Sequence, residues 1–202
     1  MKTRICLIVF LLISFNTFAA APSPFKVASI EFNPQFHARD KNFQKMASLI
    51  ADATKNGAKL ILFPEMSTTG YLYHSRKEIA PYVDSIPGVT TTFFQRLAKK
   101  YNVYIVVGMP EKSKANIYYN SAFLVGPKGL IGSYRKNNLF TLESTWAARG
   151  EGIPVFHTPL GNIAIIICYD DYFYQSARLA ALKGANIVTT HPPQSILPAS
   201  AI

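Results

Sequence analysis

Three residues of this chain have types and settings suited to joint chemistry. Cys168 follows the apolar run 163–167 directly and precedes a stretch with helical spacing. A thiol at a strand end that turns into a helix is held rigidly, and the positive helix end favours its reactive thiolate. That placement suits nucleophilic catalysis. Asp170 and Asp171 fit the first helical turn as caps, and their charge opposes the thiolate. The competing reading of Cys168 is a buried small hydrophobe. Glu65 closes the run Leu62-Phe63-Pro64-Glu65 at the end of an apolar strand. Desolvation there raises a carboxyl pKa toward the range of a general base. Lys136, in Tyr134-Arg135-Lys136, follows another strand, and its ammonium could hold a tetrahedral oxyanion and favour the thiolate. Alone, each of Glu65 and Lys136 reads more simply as a surface side chain.

A cysteine nucleophile more often has a histidine as base. The four histidines, His37, His74, His157 and His191, lie in no recognisable cysteine-protease context and receive no role. Metal-ligand spacing such as C-x-x-C or H-E-x-x-H is missing, so no metal and no other cofactor is expected.

The elements that must position these residues follow from hydrophobic period. Residues 25–31 read as a first strand stopped by Pro34. Phe43, Met46, Ala47, Ile50 and Ala51 recur at helical spacing, with Asp40 as N-cap and Gly57 as terminator. Residues 59–63 form a short buried strand, 90–101 a second helix and 103–108 another strand. Two hairpins follow, 117–125 with 129–134 and 153–158 with 162–167, around Gly126-Pro127-Lys128-Gly129 and Pro159-Leu160-Gly161. Residues 173–183 return to helix, Gly184 closes it, and 185–190 form a last strand. The order predicts one layered α/β domain. The aromatic cluster Tyr169, Tyr172, Phe173 and Tyr174 reads either as a pocket wall or, for most of it, as core.

Taken together the three blocks are specific. Leu62-Phe63-Pro64-Glu65, Tyr134-Arg135-Lys136 with Leu139-Phe140, and Ile167-Cys168-Tyr169-Asp170 resemble, in order, the signature blocks of the nitrilase superfamily of carbon–nitrogen hydrolases. Gly70-Tyr71 and the stretch from Ala177-Arg178-Leu179 to Gly184-Ala185 agree with it. The resemblance runs from about residue 25 to 192 and implies an α-β-β-α sandwich. It implies hydrolysis of a non-peptide C–N bond with Glu65 as base, Cys168 as nucleophile, and Lys136 with the Tyr169 backbone N–H holding the oxyanion. A further substrate-positioning glutamate is implied after the lysine block. Glu143 is the favoured match and Glu151 the alternative. Asn138 stands where many relatives carry His. Cys168-Tyr169-Asp170 looks like amidase-type branches, whereas nitrilases more often carry Trp and Glu after the cysteine. The implied substrate is thus a small amide or carbamoyl compound, with a nitrile as the weaker option.

Composition sets the remaining bounds. Lys and Arg number 21 against 11 Asp and Glu, but they are scattered, and no nucleic-acid motif accompanies them. Nucleic acid is therefore not an expected partner. Lys2 and Arg4, the apolar stretch 5–13 and Ala19, Ala20 and Ala21 read as a secretory signal over 1–21, cleaved after one of those alanines, rather than as a stable membrane anchor. Export to the periplasm or the exterior follows. Cleavage removes Cys6 and leaves Cys168 as the single thiol; it also lowers the net charge of +10 by two cations. The hydrolase domain spans 25–202, and its tail stops short of the family pattern. A C-terminally truncated sandwich is expected, with homo-oligomer contacts weakened by that loss. The rival reading is an inactive remnant that binds a small molecule or a partner.

Overall fold

The computed structural model describes residues 23–191. The signal reading over 1–21 and the tail reading from 192 onward lie outside the described residues. Among those residues no helix is long and apolar enough to cross a membrane.

The first half alternates strand and helix: β1 (Lys26–Ser29), α1 (Arg39–Lys55), β2 (Ala58–Leu62), the short α2 (Arg76–Ile79), α3 (Val89–Tyr101) and β3 (Tyr104–Lys112). Then come β4 (Tyr118–Gly126), β5 (Gly129–Arg135), β6 (Val155–Thr158), β7 (Gly161–Ile167), α4 (Tyr174–Leu182) and β8 (Ile187–His191). Two 3-10 turns, Thr141–Thr145 and Cys168–Tyr172, interrupt the second half.

Strands β1 to β5 form one sheet in sequence order, parallel from β1 to β3 and antiparallel from β3 to β5. Strands β6, β7 and β8 form a second sheet, with β7 antiparallel to β6 and parallel to β8. Successive strand side chains point to opposite faces, and this alternation sorts the core. Ile105 and Val107 of β3, with Phe123 and Val125 of β4, meet Phe43, Met46 and Ile50 of α1 and Phe94 of α3. Val106, Ala122 and Leu124 point the other way and meet Ile163, Ile165 and Ile167 of β7. All five residues from Ile163 to Ile167 are buried, so β7 is covered on both faces, by the first sheet and by α4 through Ala180. The layers thus run helix, sheet, sheet, helix. Each such Ile, Val or Phe removed from water contributes roughly 1.5–3 kcal/mol.

Several element ends depart from the sequence reading. Helix α1 begins at Arg39 with Ala38 in the cap position and no side-chain cap, while Asp40 sits inside the first turn. There its charge still complements the positive helix end. Gly57 takes a φ of +84°, a left-handed conformation that turns the chain from α1 into β2. Strand β6 starts at Val155 rather than 153, because Pro154 has no N–H to give the ladder. Ile153 is buried all the same, from the loop.

Candidate active site

Strand β2 ends at Leu62, and the loop after it, from Phe63 to Gly70, is buried throughout. Glu65 lies in that loop with no exposed surface. Gly108 of β3 lets the loop approach. A Cβ there would fall 2.6 Å from the Pro64 carbonyl oxygen and 2.9 Å from the Glu65 Cα. Gly108→Ala must therefore push the Glu65 backbone. It is expected to cost about 1–3 kcal/mol in urea unfolding and to slow Cys168 chemistry by on the order of tenfold to a hundredfold. Unchanged rates in a folded variant would mean that Glu65 tolerates the shift.

Lys136 follows β5 directly, held by its backbone N–H to the Asn120 carbonyl at 2.8 Å. Its ammonium is fully buried, 2.6 Å from Glu65 Oε1 and 2.8 and 3.0 Å from the two oxygens of Glu143. Asn120 of β4 donates from Nδ2 to Glu65 Oε1 at 2.7 Å and also to Glu143. Glu143 sits in the Thr141–Thr145 turn, where Phe140 N–H donates to its Oε2 at 2.6 Å. Glu151, the alternative, is exposed and makes no part of this cluster.

The cluster holds two carboxyl groups and one ammonium, all buried. Burial lifts the Glu65 carboxyl to about 7; Lys136 opposes the rise and the Glu143 charge adds to it. Burial pulls the Lys136 ammonium down, but Glu65 and Glu143 outweigh it and its pKa is raised. Lys136 therefore stays charged, and Glu65 is poised to exchange a proton near neutrality.

Cys168 follows β7 directly and opens the second 3-10 turn with a φ of +45°. A non-glycine residue in that region stores strain, and such strain recurs where a side chain must be aimed. The brace is Asp170, fully buried. It accepts from Tyr134 Oη at 2.7 Å, from Asn138 N and Nδ2 at 2.9 and 3.0 Å, and from Ile167 N at 3.1 Å. Asn138 thus ties the lysine block to the cysteine turn.

Glu65 lies close enough to the Cys168 thiol to favour its protonated form. Burial pushes the thiol up to about 12, and the Glu65 charge adds to this more than Lys136 offsets it. The expected helix-end activation does not arise. The residues after Cys168 form a 3-10 turn, and α4 begins only at Tyr174. Lys136 has its charge matched by Glu65 and Glu143. The arrangement is a protonated thiol beside the Glu65 carboxyl.

Tyr169 follows the nucleophile candidate. Its ring meets Phe140 at 5.1 Å, Tyr172 at 5.2 Å and Phe173 at 5.4 Å. The core reading of this group is corrected: Tyr172 is 82% and Tyr174 71% exposed. Of the histidines, His37 stacks between Phe36 and Tyr82, and His191 is fully buried at the end of β8. Burial lowers His191 to about 4, so its ring is neutral near pH 7. Sequence reasoning missed Asn120, Asp170's bracing role, Tyr134 and His191. An asparagine inside a buried strand, as Asn120 is, was the available signal.

A carbon–nitrogen hydrolase family model matches residues 26–200. The chain belongs to that family. It is 42% identical over 175 residues to a nitrilase from Pyrococcus abyssi, covering 86% of this chain and 66% of that protein. It is 33% identical to the protein N-terminal amidase of Saccharomyces cerevisiae, over 73% of this chain and 34% of that one. Among solved structures, an N-terminal amidase superposes with a TM-score of 0.67 at 30% identity, over 75% of this chain and 41% of that chain. A double mutant of the amidase from Nesterenkonia sp. AN1, in complex with acrylamide, superposes with a TM-score of 0.73 at 22% identity, over 82% of this chain and 64% of that chain, and supports the fold. The chain spans about two thirds or less of the length of these relatives.

Proposed function

We propose that this carbon–nitrogen hydrolase cleaves a small non-peptide amide through a thioester on Cys168. The observation that carries the reading is the buried Glu65 carboxylate, bonded to the Lys136 ammonium and near enough to the Cys168 thiol to raise its pKa. Glu65 takes the thiol proton as sulfur attacks the carbonyl carbon. Three N–H bonds leave the ammonium. Glu65 and both Glu143 oxygens accept from them, and the charge of the ammonium, with the Tyr169 backbone N–H, faces the oxyanion. Glu65 returns its proton to the departing nitrogen as the C–N bond breaks. It then takes a proton from water, which attacks the thioester and releases the carboxylic acid and the thiol. Glu143 holds Lys136 and positions the substrate, and the Tyr169 ring borders the acyl group.

A nitrile is the second reading, supported by the 42% identity to the Pyrococcus abyssi nitrilase. The amide reading draws support from Tyr169-Asp170 after the cysteine and from the N-terminal amidase structure with a Gln-Val peptide, at 30% identity over 72% of this chain and 40% of that chain. We propose export on residues 1–21 alone.

Ammonia release from a panel of short amides and matched nitriles tests this. Turnover on amides, abolished in Cys168→Ala, is the expected result. Turnover on nitriles alone overturns the amide assignment. Turnover that survives Cys168→Ala overturns the mechanism. Ligand binding without turnover on any member favours a non-catalytic role.

A further inference from the structure

His191 ends β8, and the register places it opposite Ile167, the residue immediately before Cys168. Its ring reaches across to the other sheet. Nδ1 lies 2.5 Å from the carbonyl oxygen of Phe63, two residues before Glu65. A carbonyl oxygen only accepts, so Nδ1 carries the proton and a neutral ring leaves Nε2 as a bare acceptor. Among the described residues Nε2 is buried and has no partner. The same strand end is tied to the cysteine turn a second way, by Thr190 donating to Asp171. Phe63 is itself fixed to the first sheet, its N–H donating to the Val106 carbonyl at 3.0 Å.

We propose that His191 is a positioning residue, a donor strut between the sheets that sets Glu65 at its working distance from Cys168. The argument is geometric. Glu65 and Cys168 follow strands of different sheets, so their separation depends on how the sheets are spaced at this end. Apolar packing between Val106, Leu124 and β7 holds the sheets together but is non-directional. The His191–Phe63 bond is directional, lies at the right end, and joins the β2 loop to the strand beside the nucleophile. A buried polar ring costs more to desolvate than an apolar side chain of its size. An apolar residue would fill the same place at less cost if filling space were its task. This inference rests on the Glu65–Cys168 reading above.

The test uses the full chain and iodoacetamide, with alkylation of Cys168 followed by peptide mass spectrometry so that Cys6 does not confuse it. In His191→Asn the side-chain amide can stand in for Nδ1–H. In His191→Gln the amide falls near Nε2 and the strut is lost. The Asn variant is expected to keep the wild-type rate within about twofold. The Gln variant should lose on the order of tenfold to a hundredfold and lose the limb near pH 7, while unfolding cooperatively in urea. A Gln variant equal to wild type, or two variants slowed alike, overturns the inference. If the Gln variant does not fold, the Asn variant decides alone, retention supporting the strut and loss overturning it. A wild-type profile with no limb near 7 would instead remove the Glu65–Cys168 reading itself.

Discussion

Glu65→Gln is expected to slow turnover by about two to four orders of magnitude and to erase the acid limb of the pH profile. The substitution keeps shape and an acceptor oxygen for Lys136 and Asn120, so the fold should survive. It removes the capacity to take a proton. In the wild type, burial holds the Glu65 carboxyl near 7. Below that pH it is protonated and cannot relieve the thiol, so kcat/KM rises as pH increases through about 7. Cys168 cannot supply this limb, because its own pKa is pushed up to about 12. In the Gln variant the remaining rate should climb only at high pH, following direct ionisation of the thiol. That ionisation should itself fall below 12, because one of the charges raising it is gone, yet stay above the ordinary thiol value, because burial is its largest cause. Alkylation of Cys168 followed from pH 5 to 10 reads both effects without a known substrate. A limb near 7 that persists in Glu65→Gln would assign it to another group.

The contrast with a preformed thiolate marks where sequence reading stopped short. The three blocks were legible because each side chain follows a strand, and strand ends are set by apolar runs and proline, which local pattern reveals. The layered order was legible for the same reason: period changes from 3.6 to 2 along the chain. The charge state of Cys168 was not, because it depends on what stands across the gap between two sheets. Glu65 and Lys136 arrive there from positions far away in sequence, and only their distances show that Lys136 is already matched by Glu65 and Glu143. The choice of Glu143 over Glu151 became structural in the same way. Asp170 fits a cap by local pattern, yet its carboxylate collects Tyr134, Asn138 and Ile167, two of them from another sheet or loop. The short α2 was missed although Ser75 accepts from Glu78 N–H at 3.2 Å and Glu78 reaches His74 N–H at 2.7 Å. Four residues carry too little hydrophobic period to register, and the Ser-x-x-Glu spacing alone marked it.

Lys136→Met is expected to be the most destabilising single change in the cluster, and its cost should depend on pH. At pH 8 the variant leaves two carboxylates facing each other through Asn120 with no cation between them. Breaking a buried ion pair from one side costs about 3–5 kcal/mol. Glu65, whose carboxyl burial already raises from 4.5 to about 7, can relieve this by taking a proton, and losing the ammonium that opposes the rise lifts its folded pKa further. A group with a raised folded pKa contributes stability that is present below the unfolded pKa and lost as pH rises through the folded one. The variant should therefore lie nearer the wild type at pH 5.5 than at pH 8. His191 acts in the opposite sense. Its pKa is lowered to about 4, so its contribution is present above 6.5 and is lost as pH falls toward 4. That loss is common to both proteins and cancels in their difference. Urea unfolding at the two pH values measures the effect, and adding Glu143→Gln to Lys136→Met should recover part of the loss at pH 8 by removing one of the two charges. Equal losses at both pH values, with no recovery in the double variant, would mean that Lys136 stabilises by packing its methylene chain rather than by matching charge. Turnover should stay negligible in both variants even where stability returns, because the oxyanion has lost the ammonium that faces it.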